Sequence, residues 1–193
     1  MKNPDYKYNF QELLCLKIFS EKFEVFSSEE FCQAVVCWAE REIIAGVDSE
    51  TLLIISSLGL DSTIDSSEVE KYLLIYQREM SIQAPSPRYS ALVWLRLQLE
   101  HLMAASSVHE VECRLSLFIH YYLDYPPRAF ACITNRLSGL YWELWDESIP
   151  AFNSRASEMS EDQLLEHVKA RLLPFCRILG NADWMHVLAA EPL

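Results

Sequence analysis

The chain has 193 residues, of which 51% are hydrophobic and 12% aromatic, and it carries a formal net charge of −12. That size and apolar content suit a packed core and exclude a disordered acidic tail. The excess of acids excludes the lysine- and arginine-rich surface that nucleic acids and anionic membranes require.

Glycine occurs only four times, where average usage of roughly 7% would give about thirteen. Tight sheet turns and phosphate-cradling loops depend on the positive φ that glycine adopts freely, so its scarcity favours helices joined by short polar turns. At the N-terminus, MKNPDYKYNFQELL sets Asp5, Asn9 and Glu12 where a secretory signal would need an apolar core. No apolar run approaches the roughly 20 residues needed to cross a bilayer. These features lead to the expectation of a cytoplasmic protein.

Apolar residues recur at helical spacing along the whole chain. Phe31, Val35 and Trp38 form the first clear stripe, followed by Val69, Leu73, Tyr76 and Met80 and by Leu92, Leu95, Leu99 and Leu102. Further stripes comprise Val111, Leu115, Phe118 and Tyr122, then Phe130, Ile133, Leu137, Leu140 and Leu144, and finally Leu164, Val168, Leu172, Phe175 and Leu179. The pattern predicts helices at roughly 9–25, 28–45, 49–59, 66–81, 88–105, 108–123, 128–146, 161–179 and 182–190. The segment TLLIISSLGL is ambiguous, because a short apolar run also suits a buried strand.

Ser27 with Glu30, Asp65 with Glu68, Ser107 with Glu110 and Ser160 with Gln163 have the spacing of helix N-terminal caps. Gly46, Gly59 and Gly180 stand where helices should end. Gly139 suggests a close helix–helix approach, and Pro174 should kink or break the last long helix. The polar stretch from Ala151 to Ser157 reads as the longest connector. Helix starts are evenly spaced, yet no residue signature recurs with them. The reading is all-α: one domain over residues 1–193, an irregular bundle of about eight to nine helices, with stacked helical hairpins as the alternative arrangement.

The chain contains no phosphate-binding glycine motif and no nucleophile elbow. HEVE at His109–Glu112 lacks the second histidine of a zinc-protease helix, Cys113 standing in its place. No glutamate lies three residues before any histidine, as di-iron bundles require. Cys15, Cys32, Cys37, Cys113, Cys132 and Cys176 form no CxxC pair and lie in apolar helical stretches, which reads as buried reduced thiols. Tyr121, Tyr122, Trp142 and Trp145 read as core or interface aromatics ahead of pocket-lining ones. Neither catalysis nor a metal or cofactor is expected.

The acids are unevenly placed. Residues 23–70 hold eleven of them and a single base, Arg41, while residues 139–166 hold seven against Arg155. Residues 88–138 are nearly balanced, with five arginines and four acids. Solubility alone accounts for acidic surfaces in many domains, and Glu29, Glu30 and Glu68 also suit helix N-termini. The remainder suit a basic protein partner, whose encounter such a surface accelerates.

Two stretches resemble a known family. VVCWAEREIIAGVDSETLLIISSLG followed by EVEKYL, residues 35–59 and 68–73, is similar to the pattern W-A-x-x-x-I-x-x-G-x-D-S-x-x-L-x-I-x-x-S-L of small helical bacterial proteins encoded beside polymorphic toxins. HEVECRLSLFIHYYLDYP and LYWELWDE, residues 109–126 and 140–147, resemble a later part of the same proteins. The match covers about half the chain, and its motif positions are mostly structural. The resemblance implies an immunity protein that neutralises a cognate toxin by direct binding in the cytoplasm of the producing cell. The toxin expected from the charge is basic. The contact residues expected are Glu40, Glu42, Asp48, Glu50, Asp61, Asp65, Tyr125, Trp142, Glu143, Asp146 and Glu147, with the aromatics as anchors. A helical adaptor binding a cellular partner through an acidic groove is the competing expectation.

Overall fold

The structure is a computed structural model that describes residues 7–23, 28–60, 63–119, 126–145 and 155–190. Every regular element among them is helical, as the periodicity predicts. The elements are α1 (Phe10–Phe23), α2 (Ser28–Ile44), α3 (Glu50–Ser57), α4 (Ser66–Glu79), α5 (Pro87–Ala104), α6 (Val108–Ser116), α7 (Arg128–Trp145), the short α8 (Arg155–Glu158), α9 (Glu161–Leu179) and α10 (Ala182–Ala190). Single 3-10 turns follow α3 at Leu58–Leu60 and α6 at Leu117–Ile119. No helix among the described residues is long and apolar enough to cross a membrane. The chain divides into two units, Met1–Ser90 and Ala91–Leu193.

In the first unit, α1 starts at a reciprocal cap. The Asn9 side-chain oxygen accepts from the Glu12 amide at 2.9 Å, while the Glu12 carboxylate accepts from the Asn9 amide at 2.8 Å. The helix buries Leu13, Leu14, Leu16 and Phe19. The inner face of α2 carries the predicted Phe31, Val35 and Trp38 together with Cys32, Val36 and Ala39. Trp38, Phe10 and Tyr76 of α4 form an aromatic triad with ring centroids 5.0 to 5.3 Å apart. Two of the three contacts are edge-on, the arrangement that ring quadrupoles favour.

The end of α2 is a Schellman motif. Gly46 adopts φ +92°, its amide donates to the Ile43 carbonyl at 2.9 Å, and the Val47 amide reaches the Glu42 carbonyl at 3.0 Å. The chain reverses, Ser49 caps α3 through the Leu52 amide, and α3 packs back on α2. This resolves the ambiguity of TLLIISSLGL. Thr51, Leu52 and Ile55 point inward at helical spacing, whereas a strand would alternate. The Thr51 hydroxyl donates to the Glu79 carboxylate at 2.8 Å, tying α3 to α4.

In the second unit, residues 91–104 of α5 are buried well beyond the single predicted stripe. Trp94 and Leu97 are enclosed along with Leu92, Leu95, Leu99 and Leu102, as expected of a helix apolar on several faces. Trp94 lies 5.9 Å from Phe118 and 6.1 Å from Phe130 between ring centroids. The stripe of α7 is buried as read, with Phe130, Ile133, Leu137, Leu140 and Leu144 inside. Ser160 and Gln163 form the predicted capping box of α9, and Ser107 caps α6 through the Glu110 amide. Glu110 itself turns to the Ser106 amide, so the box at α6 is displaced by one residue.

Some expectations are corrected. Pro174 does not break α9, which continues to Leu179 and stops at Gly180; Pro174 is exposed there. At Gly139 no close approach is made among the described residues, where a Cβ built on it meets nothing within 4 Å. The connector read through Ser157 contains the turn of helix α8. Cys113 and Cys132 are exposed rather than buried, two residues away from the inward positions Val111, Leu115, Phe130 and Thr134. Ser27, Tyr121 and Tyr122 lie outside the described residues.

Candidate functional site

The residues expected to meet a partner fall into three physical classes. In the first, an acid holds the fold. Glu42 accepts the indole N–H of buried Trp38 at 3.1 Å, a bond along α2 between residues i and i+4. Together with Glu79 it adds to burial in raising the Tyr76 hydroxyl above its ordinary pKa. Asp65 caps α4, accepting from the Ser67 amide at 2.9 Å and the Ser67 hydroxyl at 2.7 Å. These bonds hold its carboxyl below the usual range.

Glu143 also belongs here. One of its oxygens accepts from Arg155 and the other from Arg171 at 2.9 Å, and the His167 Nε2 lies 3.7 Å away. The carboxylate thus joins α7 to α8 and α9, and its charge is largely answered within the unit. Beside it, Tyr141, Trp142 and Trp145 form an aromatic row along α7, with both contacts of Tyr141 at 5.5 Å between centroids. Trp142 is 46% exposed, which leaves its indole available as an anchor.

The second class comprises Glu40, Asp48 and Glu50. All three are exposed, and among the described residues no cation lies within ion-pair distance of any of them. Arg41, the only base in residues 23–70, directs its guanidinium to the Tyr8 carbonyl. Glu70, in contrast, faces Lys17 at 3.7 Å, and Lys17 also pairs with Glu21. The third class, Asp61, Tyr125, Asp146 and Glu147, lies outside the described residues.

Large apolar side chains stand out on the same hairpin as the three unpaired acids. Ile44, four residues after Glu40 on α2, is 85% exposed, and Leu60 at the end of the 3-10 turn is 86% exposed. Val47 and Leu53 are also exposed. The turn is seated closely on α2: a Cβ on Gly59 would lie 2.6 Å from Val36 Cγ1 and 4.0 Å from the Glu40 carboxylate. Leu60 follows this seated glycine. In the sequence these apolar residues look like core when read as a run, so their exposure is not legible from composition. The missing signal was helical phase: Leu53 is one residue after inward Leu52, and Ile44 is the last residue of α2.

Among the described residues no group of three or more His, Cys, Asp and Glu could hold an ion. His109 and Cys113 approach to 3.7 Å on the exposed side of α6 as an isolated pair. Comparison with known proteins finds no matching family model, no matching curated protein and no matching solved structure.

Proposed function

We propose that this chain is an immunity protein that neutralises a basic bacterial toxin by binding it directly. The observation that carries this reading is the set of exposed carboxylates Glu40, in the last two turns of α2, and Asp48 and Glu50, at the turn into α3, none of which has an ion-pair partner among the described residues. A lysine- or arginine-rich face supplies the counter-charge that these carboxylates lack. A toxin whose cleft attracts phosphates presents such a face, and an acidic body seated in it excludes the substrate. The resemblance over residues 35–59 spans this same hairpin.

The direct test is to search the neighbourhood of the gene for a toxin domain and to co-express that domain with this chain, with growth rescue as the readout; a neighbourhood that encodes no toxin counts against the reading. In a purified system the association rate should fall steeply with salt. Charge reversal of Glu40, Asp48 and Glu50 to lysine should slow association by about tenfold or more without changing the circular dichroism spectrum. No rescue by the unaltered chain rejects the reading. Rescue with salt-independent association, unaffected by charge reversal, retains neutralisation but removes its electrostatic basis.

A further inference from the structure

We infer that His109 and Cys113 form a two-ligand chelate on α6 for a divalent transition cation of the zinc class. This is independent of the immunity reading and uses none of its residues. The two residues lie four apart in HEVEC, the spacing that sets side chains one turn apart on the same helix face. Zinc-protease helices use that spacing with histidine at both positions, and a cysteine thiolate ligates zinc as an imidazole does. The cysteine in place of the second histidine therefore removes the protease motif but keeps a pair of metal donors.

The separation of the donors suits the cation. Tetrahedral zinc, about 2.0 Å from nitrogen and about 2.3 Å from sulfur, sets those two donors about 3.5 Å apart. The Cys113 sulfur lies 3.7 Å from His109 Nε2 and 3.9 Å from Nδ1. Both nitrogens are within reach, so a turn of the exposed ring about its Cβ–Cγ bond aims one lone pair at the cation. Both side chains are exposed, and among the described residues neither is hydrogen-bonded to anything but the other. Neither donor has to give up another bond to bind. No third His, Cys, Asp or Glu joins them among the described residues, which leaves the other coordination positions to water.

The donor set selects the cation. Nitrogen and sulfur suit zinc and cobalt, whereas calcium and magnesium require a shell of oxygens. Binding converts the Cys113 thiol to thiolate and passes its proton to solvent, so affinity falls as pH drops. The net charge of −12 raises the cation concentration around the chain. Cys132 supplies an internal comparison. It is also exposed, on α7, but the residues four before and four after it are Arg128 and Arg136. Protonated guanidinium groups have no lone pair for a metal and repel it.

The test titrates cobalt(II) alone into the full chain, reduced and stripped of metal, and reads the near-ultraviolet charge-transfer absorption that a thiolate–cobalt bond produces. The native chain should show this band, and added zinc should abolish it. Cys113→Ser should lose the band, His109→Ala should weaken the apparent affinity by about tenfold or more, and Cys132→Ser should leave both unchanged. Alkylation of the native chain, mapped by peptide mass, needs no variant: zinc should slow modification of Cys113 and not of Cys132. The chelate is overturned if the native chain shows no band, if the band persists in Cys113→Ser, if His109→Ala binds as the native chain does, or if zinc leaves Cys113 alkylation unchanged. None of these outcomes bears on toxin neutralisation.

Discussion

Acidification should destabilise the second unit through His101, a half-buried residue of α5. Burial first, and the neighbouring Arg114 guanidinium second, lower its pKa from 6.5 to about 4. The ring is consequently neutral at pH 7, and its Nδ1 faces Arg114 Nη1 at 3.4 Å as an acceptor. The native state disfavours the proton that the unfolded chain takes up readily. Stability attributable to the neutral ring is therefore complete above the unfolded pKa near 6.5. It begins to fall as pH drops below that value, and the loss levels off below about 4.

At pH 5 the unfolded ring is almost fully charged and the native ring almost fully neutral, which corresponds to about 2 kcal/mol at 1.36 kcal/mol per unit. Partial exposure screens the penalty, so about 1 kcal/mol is expected. Urea unfolding at pH 7, 6 and 5 should show this loss in the native chain. His101→Gln retains an oxygen acceptor for Arg114 and cannot titrate, so it should lose about 1 kcal/mol less than the native chain over the same interval. Equal pH dependence in the two proteins would refute the assignment, because carboxylates common to both would then explain the whole slope.

Three further changes probe the frame around the site. Gly59→Ala forces a Cβ within 2.6 Å of Val36 Cγ1, and buried, β-branched Val36 has little room to yield; a net loss of about 1–2 kcal/mol is expected in urea unfolding after the small helical gain from alanine. Ser81 ends α4 with φ 52°, its amide bonded to the Arg78 carbonyl and the Ile82 amide to the Gln77 carbonyl. Ser81→Gly removes left-handed strain and should stabilise by about 0.5–1 kcal/mol after the entropy gained by the unfolded chain. Glu143→Ala leaves Arg155, Arg171 and His167 facing one another. It should cost about 1 kcal/mol at low salt, less at high salt, and leave the toxin association rate unchanged.

The helices were legible because local rules and packing agree at most positions. Gly46 is the clearest case: the sequence placed a stop there, and the backbone requires φ +92° at that residue. Ser160 and Gln163 form the box their spacing indicated. The breadth of the α5 core was not legible, because Trp94 and Leu97 lie off the stripe through Leu92, Leu95 and Leu99, and their burial depends on neighbours distant in sequence. The exposed thiols Cys113 and Cys132 were misread for a related reason: apolar neighbours in sequence do not share a helix face with residues two positions away.

Charge was legible in amount but not in use. Glu40 and Glu42 are two residues apart and identical in kind, yet Glu42 secures the indole of Trp38 while Glu40 has no cation beside it among the described residues. The difference follows from which one shares a helix face with Trp38, four residues before Glu42. Glu143 shows the same effect over a longer range, since Arg155 and Arg171 reach it only once α8 and α9 are in place. Acids already engaged by their own fold gain little from a partner's lysines, because those lysines would have to displace existing bonds. A tally of acids along the sequence therefore overestimates the charge left without an internal partner, and among the described candidates the unpaired carboxylates are Glu40, Asp48 and Glu50. A charge-reversal series should reproduce that ranking, with Glu40, Asp48 and Glu50 changing association and Glu42 and Glu143 changing stability.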